Sequence, residues 1–202
     1  MSPQAPPPPD DQNPANAETP CRACPLRPLK LFLEPTGDEL ELVQSLKRRE
    51  QRLGVGKSLI HEGQTDAPLY TLLQGWAFRY KTLSDGRRQI LSFLLAGDFV
   101  GVQQKMGDVA AHGVETLTEA VFCVFQRDAL WELHRRSPVM GFNVTWLTAL
   151  EHPMVGETLL SVGRRSAEER IASMLILLFK RAAALQADAG SGGVEFPLTQ
   201  QH

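Results

Sequence analysis

Between Tyr70 and Gly101 apolar runs of strand length alternate with cuts at Gly75, Asp85-Gly86 and Gly97-Asp98. Glycine accepts positive φ at little cost, so each cut suits a hairpin or tight corner. The runs Leu69–Leu73, Trp76–Tyr80 and Gln89–Leu94 are rich in aromatic and branched residues, the signature of half-buried strands. Ser84-Asp85-Gly86 predicts a hairpin turn with glycine at the left-handed position. Even spacing of such runs predicts a small antiparallel β-roll, with β structure from Gln51 to Gln126 and a further strand at Ser58–His61.

Helical periodicity flanks this β segment. Thr36 and Glu39 have capping-box spacing ahead of Leu40, Leu42, Val43 and Leu46, predicting a short helix that ends near Leu46. Lys47-Arg48-Arg49 then reads as a solvated helix terminus. Downstream, Asp128–His134 predicts a short helix that buries Leu130, Trp131 and Leu133, and Ser137-Pro138 marks the next helix start. From Val139 to Val162 two apolar stripes run along one helix: Val139, Phe142, Trp146, Leu150 and Met154, and Met140, Val144, Leu147 and Leu160. Two stripes imply burial on two sides, against the roll and against a second surface. Pro153 predicts a kink near Glu151–Pro153. Ser166 and Glu169 form a second capping box, and Ala167, Ile171, Met174, Leu175, Leu178, Ala182 and Leu185 share a face of the final helix.

Composition changes this picture little. The 202 residues carry a formal net charge of −2, so no global positive field advertises nucleic acid. No apolar run is long enough to span a bilayer, and the start lacks the basic and apolar regions of a secretory signal. Three cysteines do not make a full set of disulfides, which favours a reducing, cytoplasmic setting. Residues 1–20, with the Pro6–Pro9 run, have little to bury and predict a disordered tail. The five histidines are scattered and none forms a His-x-His pair, so the sequence presents no enzymatic metal cluster, triad or carboxylate pair. The chemistry it does present is Cys21-Arg22-Ala23-Cys24, two thiols at one chain reversal, suited to a metal, a cluster, a redox disulfide or a loop that binds nothing.

Glu62-Gly63, Leu69-Tyr70, Gly75, Asp85-Gly86 and Gly97-Asp98-Phe99-Val100-Gly101, in that order, resemble the cyclic-nucleotide-binding β-roll of the Crp/Fnr transcription regulators. The resemblance runs over residues 20–202 and implies an α+β chain. An antiparallel β-roll sensor domain (21–137) would be followed by a long dimerisation helix (138–163) and the start of a DNA-binding domain (164–202). It implies a homodimer with Met140, Val144, Leu147 and Met154 at the interface. Members that bind cyclic AMP carry Gly-Glu and Arg-Ser for ribose and phosphate; here Gly101-Val102 and Ala110-Ala111 stand in their places, so cyclic AMP is not the expected ligand.

Gly97–Gly101, Glu115–Thr118 and Cys123 instead look like the oxygen-sensing Fnr branch, in which cysteines hold a [4Fe-4S] cluster. Cys21, Cys24 and Cys123 match three of those ligands. Where the resemblance places a third N-terminal cysteine the chain has Lys30, so the fourth ligand would come from Asp, Glu, His, solvent or a partner chain. Phe196-Pro197-Leu198-Thr199 resembles the opening of the family's winged helix-turn-helix, with Thr199 as N-cap. The base-reading helix would lie beyond His202, which points to a fragment or truncated chain; DNA and RNA polymerase become partners only with that domain present. The expected function is the sensory and dimerisation part of a non-enzymatic transcription regulator; the alternative is a stand-alone β-roll that binds a small ligand.

Overall fold

The computed structural model describes residues 18–29, 34–102, 109–149, 152–185 and 196–198. Most of the proline-rich tail, Lys30 with Leu31–Leu33, Gln103–Lys105, Leu150, Glu151, the Pro153 and Met154 side chains, residues 186–195 and Thr199 onward lie outside this description.

Two short 3-10 turns, Cys21–Ala23 and Arg27–Leu29, precede helix α1 (Gly37–Leu46). The expected capping box closes α1: the Glu39 backbone N–H donates to Thr36 Oγ1, and Glu39 Oε2 accepts from the Thr36 N–H at 2.8 Å. Eight strands follow: β1 (Lys47–Leu53), β2 (Ser58–Ile60), β3 (Leu69–Gln74), β4 (Ala77–Thr82), β5 (Arg88–Leu94), β6 (Phe99–Val100), β7 (Gly113–Thr116) and β8 (Ala120–Phe125). They form two four-stranded sheets, ordered β1-β8-β3-β6 and β2-β7-β4-β5, and the paired strands are antiparallel. This is the β-roll expected from the glycine-punctuated runs.

The turn between β4 and β5 carries Gly86 at φ 84, with the Gly86 N–H donating to the Leu83 carbonyl at 2.9 Å. The Gly97-Asp98 corner is tied to β3 by two backbone bonds, Gly97 N–H to the Leu72 carbonyl and Leu72 N–H to the Asp98 carbonyl. Side chains alternate across each sheet. On β8, Phe122 and Val124 point between the sheets with Tyr70, Leu72, Val100 and Val114, while Cys123 packs outward with Leu26 and Leu73. Phe122 is completely buried and meets Tyr70 edge to face, ring centroids 6.2 Å apart.

The described residues beyond the roll include helices α2 (Ala129–Arg136), α3 (Pro138–Ala149), α4 (His152–Arg164) and α5 (Ala167–Leu185). Ser137 caps α3, its hydroxyl accepting from the Met140 N–H at 3.2 Å, and Pro138 takes the first helical position. The expected long helix is described over α3 and α4, and the expected kink near Glu151–Pro153 falls at residues outside this description. The second capping box is also formed, Ser166 N–H to Glu169 Oε2 and Glu169 N–H to Ser166 Oγ. Helix α5 lays Leu178 and Ala182 on Phe78, Tyr80, Phe93 and Leu95, the outward side of the second sheet. Arg181 fastens it there, with both Asp98 carboxylate oxygens within 2.7 Å of Nη2 and the Phe93 carbonyl 3.1 Å from Nη1.

Three sequence expectations need correction. Lys47-Arg48-Arg49 follows the end of α1 as expected, with Lys47 as its C-cap, but β1 also starts at Lys47, so the β region opens four residues before Gln51, and the Lys47 side chain is completely buried instead of solvated. Trp131, expected inside, is 71% exposed, because Leu130 and Leu133 take the inward side of α2 and Trp131 sits around the helix from both. Of the apolar face read for α5, Ile171, Met174 and Leu175 are exposed and only the later half packs on the roll.

Candidate functional site

The outward face of the β1-β8-β3-β6 sheet is covered by the N-terminal segment and by α1, α2 and α3, and the space left between them is a cavity of about 350 Å³. Its floor is Leu69, Thr71, Leu73, Phe99, Cys123 and Phe125. One wall is Leu40, Val43 and Leu46 of α1; another is Met140, Val144 and Leu147 of α3; Leu130 and Leu133 of α2 stand between. Cys21 and Cys24 reach the same cavity from the first 3-10 turn. The structure therefore brings together all three cysteines of the chain, although about a hundred residues separate the first pair from the third.

A single carboxylate sets the two long walls. Glu39 Oε2 belongs to the α1 capping box, while Oε1 accepts a 2.6 Å hydrogen bond from Ser137 Oγ at the start of α3. These bonds hold the Glu39 pKa below the ordinary carboxylate value, the Ser137 hydrogen bond most of all.

Cys21 and Cys123 are not activated nucleophiles. Burial pushes Cys123 from 9.0 up to about 12, partly opposed by the Lys47 ammonium, and burial likewise raises Cys21. Beside them lies a charge pair missing from the sequence reading. Lys47 Nζ donates to Glu50 Oε1 at 2.9 Å and to the Thr19 carbonyl at 2.8 Å, with the Glu50 side chain 4% exposed. Burial opposes the Lys47 charge, but the Glu50 hydrogen bond and the neighbouring Cys123, Glu50 and Glu18 charges outweigh it, so its pKa lies above the ordinary value. Glu50 is the cross-strand partner of Cys123 and so stands on the same face of the sheet. The sequence carries one local sign of this pair, the three-residue spacing of Lys47 and Glu50.

Among the described residues no three His, Cys, Asp or Glu side chains converge tightly enough to hold one metal ion. A four-iron cluster asks for something different. Each ligand meets a separate iron at a corner of the cube, so the ligands ring a space instead of closing on a point. Three thiols around one apolar cavity, beside a buried ammonium that offsets negative charge, fit that demand. Three cysteines in the whole chain leave one corner to a ligand other than sulfur.

Met140, Val144 and Leu147, expected at a subunit interface, line the cavity. The exposed stripe of α3 is the other one: Val139 is 43%, Phe142 56% and Trp146 53% exposed, the last two rings stacked with centroids 6.3 Å apart. Ala110 is buried in the roll interior and Ala111 presents its carbonyl to Lys81 Nζ, so neither supplies a group for a phosphate. Arg79, absent from the sequence reading, is a buried guanidinium within the roll, donating to the Phe99 carbonyl at 3.1 Å. Its signal was a charge at an inward position of an otherwise apolar strand.

Residues 50–137 match the model of the cyclic nucleotide-binding domain. The chain is 30% identical over 183 residues to the transcriptional activator protein FnrL of Cereibacter sphaeroides, covering 90% of this chain and 73% of that protein. It is 32% identical over 135 residues to the transcriptional activatory protein AadR of Rhodopseudomonas palustris, covering 67% of this chain and 56% of the relative. The solved structure of FixK2 from Bradyrhizobium japonicum superposes with a TM-score of 0.64 at 25% identity, over 75% of this chain and 73% of that one. The chain thus spans between about half and three quarters of the length of these relatives. With the roll, the helices behind it and a regulator similar over nine tenths of the present sequence, this chain belongs to the Crp/Fnr family.

Proposed function

We propose that this chain is the sensory and dimerisation part of a cytoplasmic Crp/Fnr transcription regulator, responding to oxidation through a [4Fe-4S] cluster held by Cys21, Cys24 and Cys123. The observation that carries this reading is the meeting of those three cysteines in one cavity. When bound, such a cluster supplies iron–sulfide bonds that oxygen attacks. The protein's own part is to hold three thiolates in a space walled largely by aliphatic side chains, and to set the Lys47 ammonium against their charge. Cyclic AMP is not the signal in this reading, because Val102 and Ala110-Ala111 offer neither a carboxylate for ribose nor a guanidinium for phosphate.

The output runs through the helices. Val139, Phe142 and Trp146 form the face that pairs two copies, and α5, clasped to the roll by Arg181, leads to a DNA-binding module. The test is an anaerobic preparation examined by absorption spectroscopy with iron and sulfide analysis. Broad charge-transfer absorption with about four irons per chain is expected. A colourless, iron-free protein that resists reconstitution overturns the cluster.

A second reading rests on the same cavity. At about 350 Å³ and lined mostly by aliphatic and aromatic side chains, it suits a small apolar effector. Saturable binding of such a molecule to the iron-free protein, measured by calorimetry, would favour this reading over the first.

A further inference from the structure

Every residue on the floor of the three-cysteine cavity is apolar or bears sulfur except Thr71, which lines it from β3 and is half-buried. Arg27 and Glu34, the charged residues of the lining, are exposed to water. The ladders fix where Thr71 stands. It is the direct cross-strand partner of Cys123 on β8 and of Phe99 on β6, so these three form one row on the outward face of the sheet. Among the described residues no hydrogen bond engages the Thr71 hydroxyl. A hydroxyl set among apolar walls without an acceptor loses the bonds that water gave it. Valine would fill the same strand position with the same shape and no such loss, so the hydroxyl points to an acceptor that occupies the cavity. Three backbone donors of the cysteine turn are already engaged: the Cys21 N–H donates to Gln44 Oε1 at 2.7 Å, and the Ala23 and Cys24 N–H groups donate to the Pro20 and Cys21 carbonyls.

We infer that Thr71 donates its hydroxyl hydrogen to a sulfur of the iron–sulfur cluster beside Cys123, an inference that rests on the cluster reading above. A hydrogen bond to a cluster sulfur offsets part of its negative charge, favours the reduced form and so raises the reduction potential. Thr71 thereby sets how readily the bound cluster gives up an electron. Its neighbours in the row divide the work: Cys123 holds iron, and Phe99 closes the far side of the floor with an apolar ring.

The experiment compares the full chain, reconstituted anaerobically with iron and sulfide, with Thr71→Val and Thr71→Ser. The readouts are resonance Raman spectra in ordinary and heavy water, anaerobic redox titration, and urea unfolding of the iron-free proteins. Wild-type iron–sulfur stretching bands are expected to shift on exchange into heavy water; Thr71→Val should lose part of that shift and Thr71→Ser should keep it. Reduction is expected to become about tenfold less favourable in Thr71→Val, about 59 mV for one electron, and to stay within about twofold of wild type in Thr71→Ser. The iron-free Thr71→Val protein should unfold at the wild-type urea midpoint, because the hydroxyl bonds nothing in the protein itself. An intact cluster in Thr71→Val with the wild-type potential and solvent-exchange shift overturns the inference while leaving the cluster in place. Thr71→Ser behaving like Thr71→Val, or a lowered urea midpoint that assigns the hydroxyl to the fold, overturns it equally. A wild-type chain that takes up no iron removes the cluster reading itself, and this inference with it.

Discussion

Replacing Lys47 with methionine tests whether the buried charge pair beside the cysteines holds the fold. The substitution keeps the aliphatic length of a completely buried side chain but strips the ammonium from Glu50 and from the Thr19 carbonyl. Breaking a buried ion pair from one side costs about 3–5 kcal/mol, since the remaining charge is stranded. Glu50 keeps its 2.8 Å bond from the Thr19 N–H, and Arg52 lies 3.7 Å away, so the loss belongs near the lower end. About 3 kcal/mol in a chain of this size lowers Tm by about 6–12 °C. Urea unfolding of the iron-free protein, followed by tryptophan fluorescence and by circular dichroism at one fixed protein concentration, measures it. The double substitution K47M/E50M removes both charges and is expected to return to within about 1 kcal/mol of wild type. If K47M alone unfolds within about 0.5 kcal/mol of wild type, the pair is not load-carrying and the stranded-charge argument fails.

Further expectations follow from other parts of the molecule. In Gly75→Ala the new Cβ would stand 2.2 Å from the Glu119 carbonyl oxygen at φ +90, so a loss of about 3 kcal/mol or more is expected, whereas Gly86→Ala, at φ +84 in open space, should lose only about 1 kcal/mol; equal losses would refute the steric account. In iron-free protein at pH 8, a thiol reagent should modify the part-exposed Cys21 and Cys24 and leave Cys123 untouched until urea is added. Because folding raises the Cys123 pKa from 9.0 to about 12, its contribution to stability is complete below pH 9 and drains away as pH climbs toward 12; C123A should show a flatter alkaline limb in the same unfolding assay. Trp146→Glu places a charge on the exposed stripe of α3 and should weaken self-association at least ~30-fold by sedimentation, a loss of ~2 kcal/mol, while a wild-type chain that stays monomeric at high concentration would refute pairing through that stripe.

The features legible in the sequence were those written in neighbouring residues. Both capping boxes, at Thr36 and Ser166, lie within four residues and form as expected. The roll was equally plain, because glycines at the corners and alternation between them are local signals. What escaped depends on distant partners. Three consecutive basic residues look solvated until one of them meets a carboxylate that itself faces a cysteine more than seventy residues away. Helix α3 is apolar on most of its circumference, so spacing alone could not say which stripe met the cavity and which faced outward. The convergence of Cys21, Cys24 and Cys123 came from resemblance; folding supplied a separate reason for it by setting Cys123 on an outward position of β8, beneath the N-terminal segment.

Glu39 touches none of the cysteines, yet it fastens the first turn of α1 to the first turn of α3 through Ser137. The two leaves that shelter the thiols are thereby hinged on one pin. A genetic screen for regulators that no longer respond would then score damage at position 39 alongside damage at the cysteines, and a purified Glu39→Ala protein would betray the difference by admitting reagents to Cys123 while its sulfur chemistry stayed unaltered.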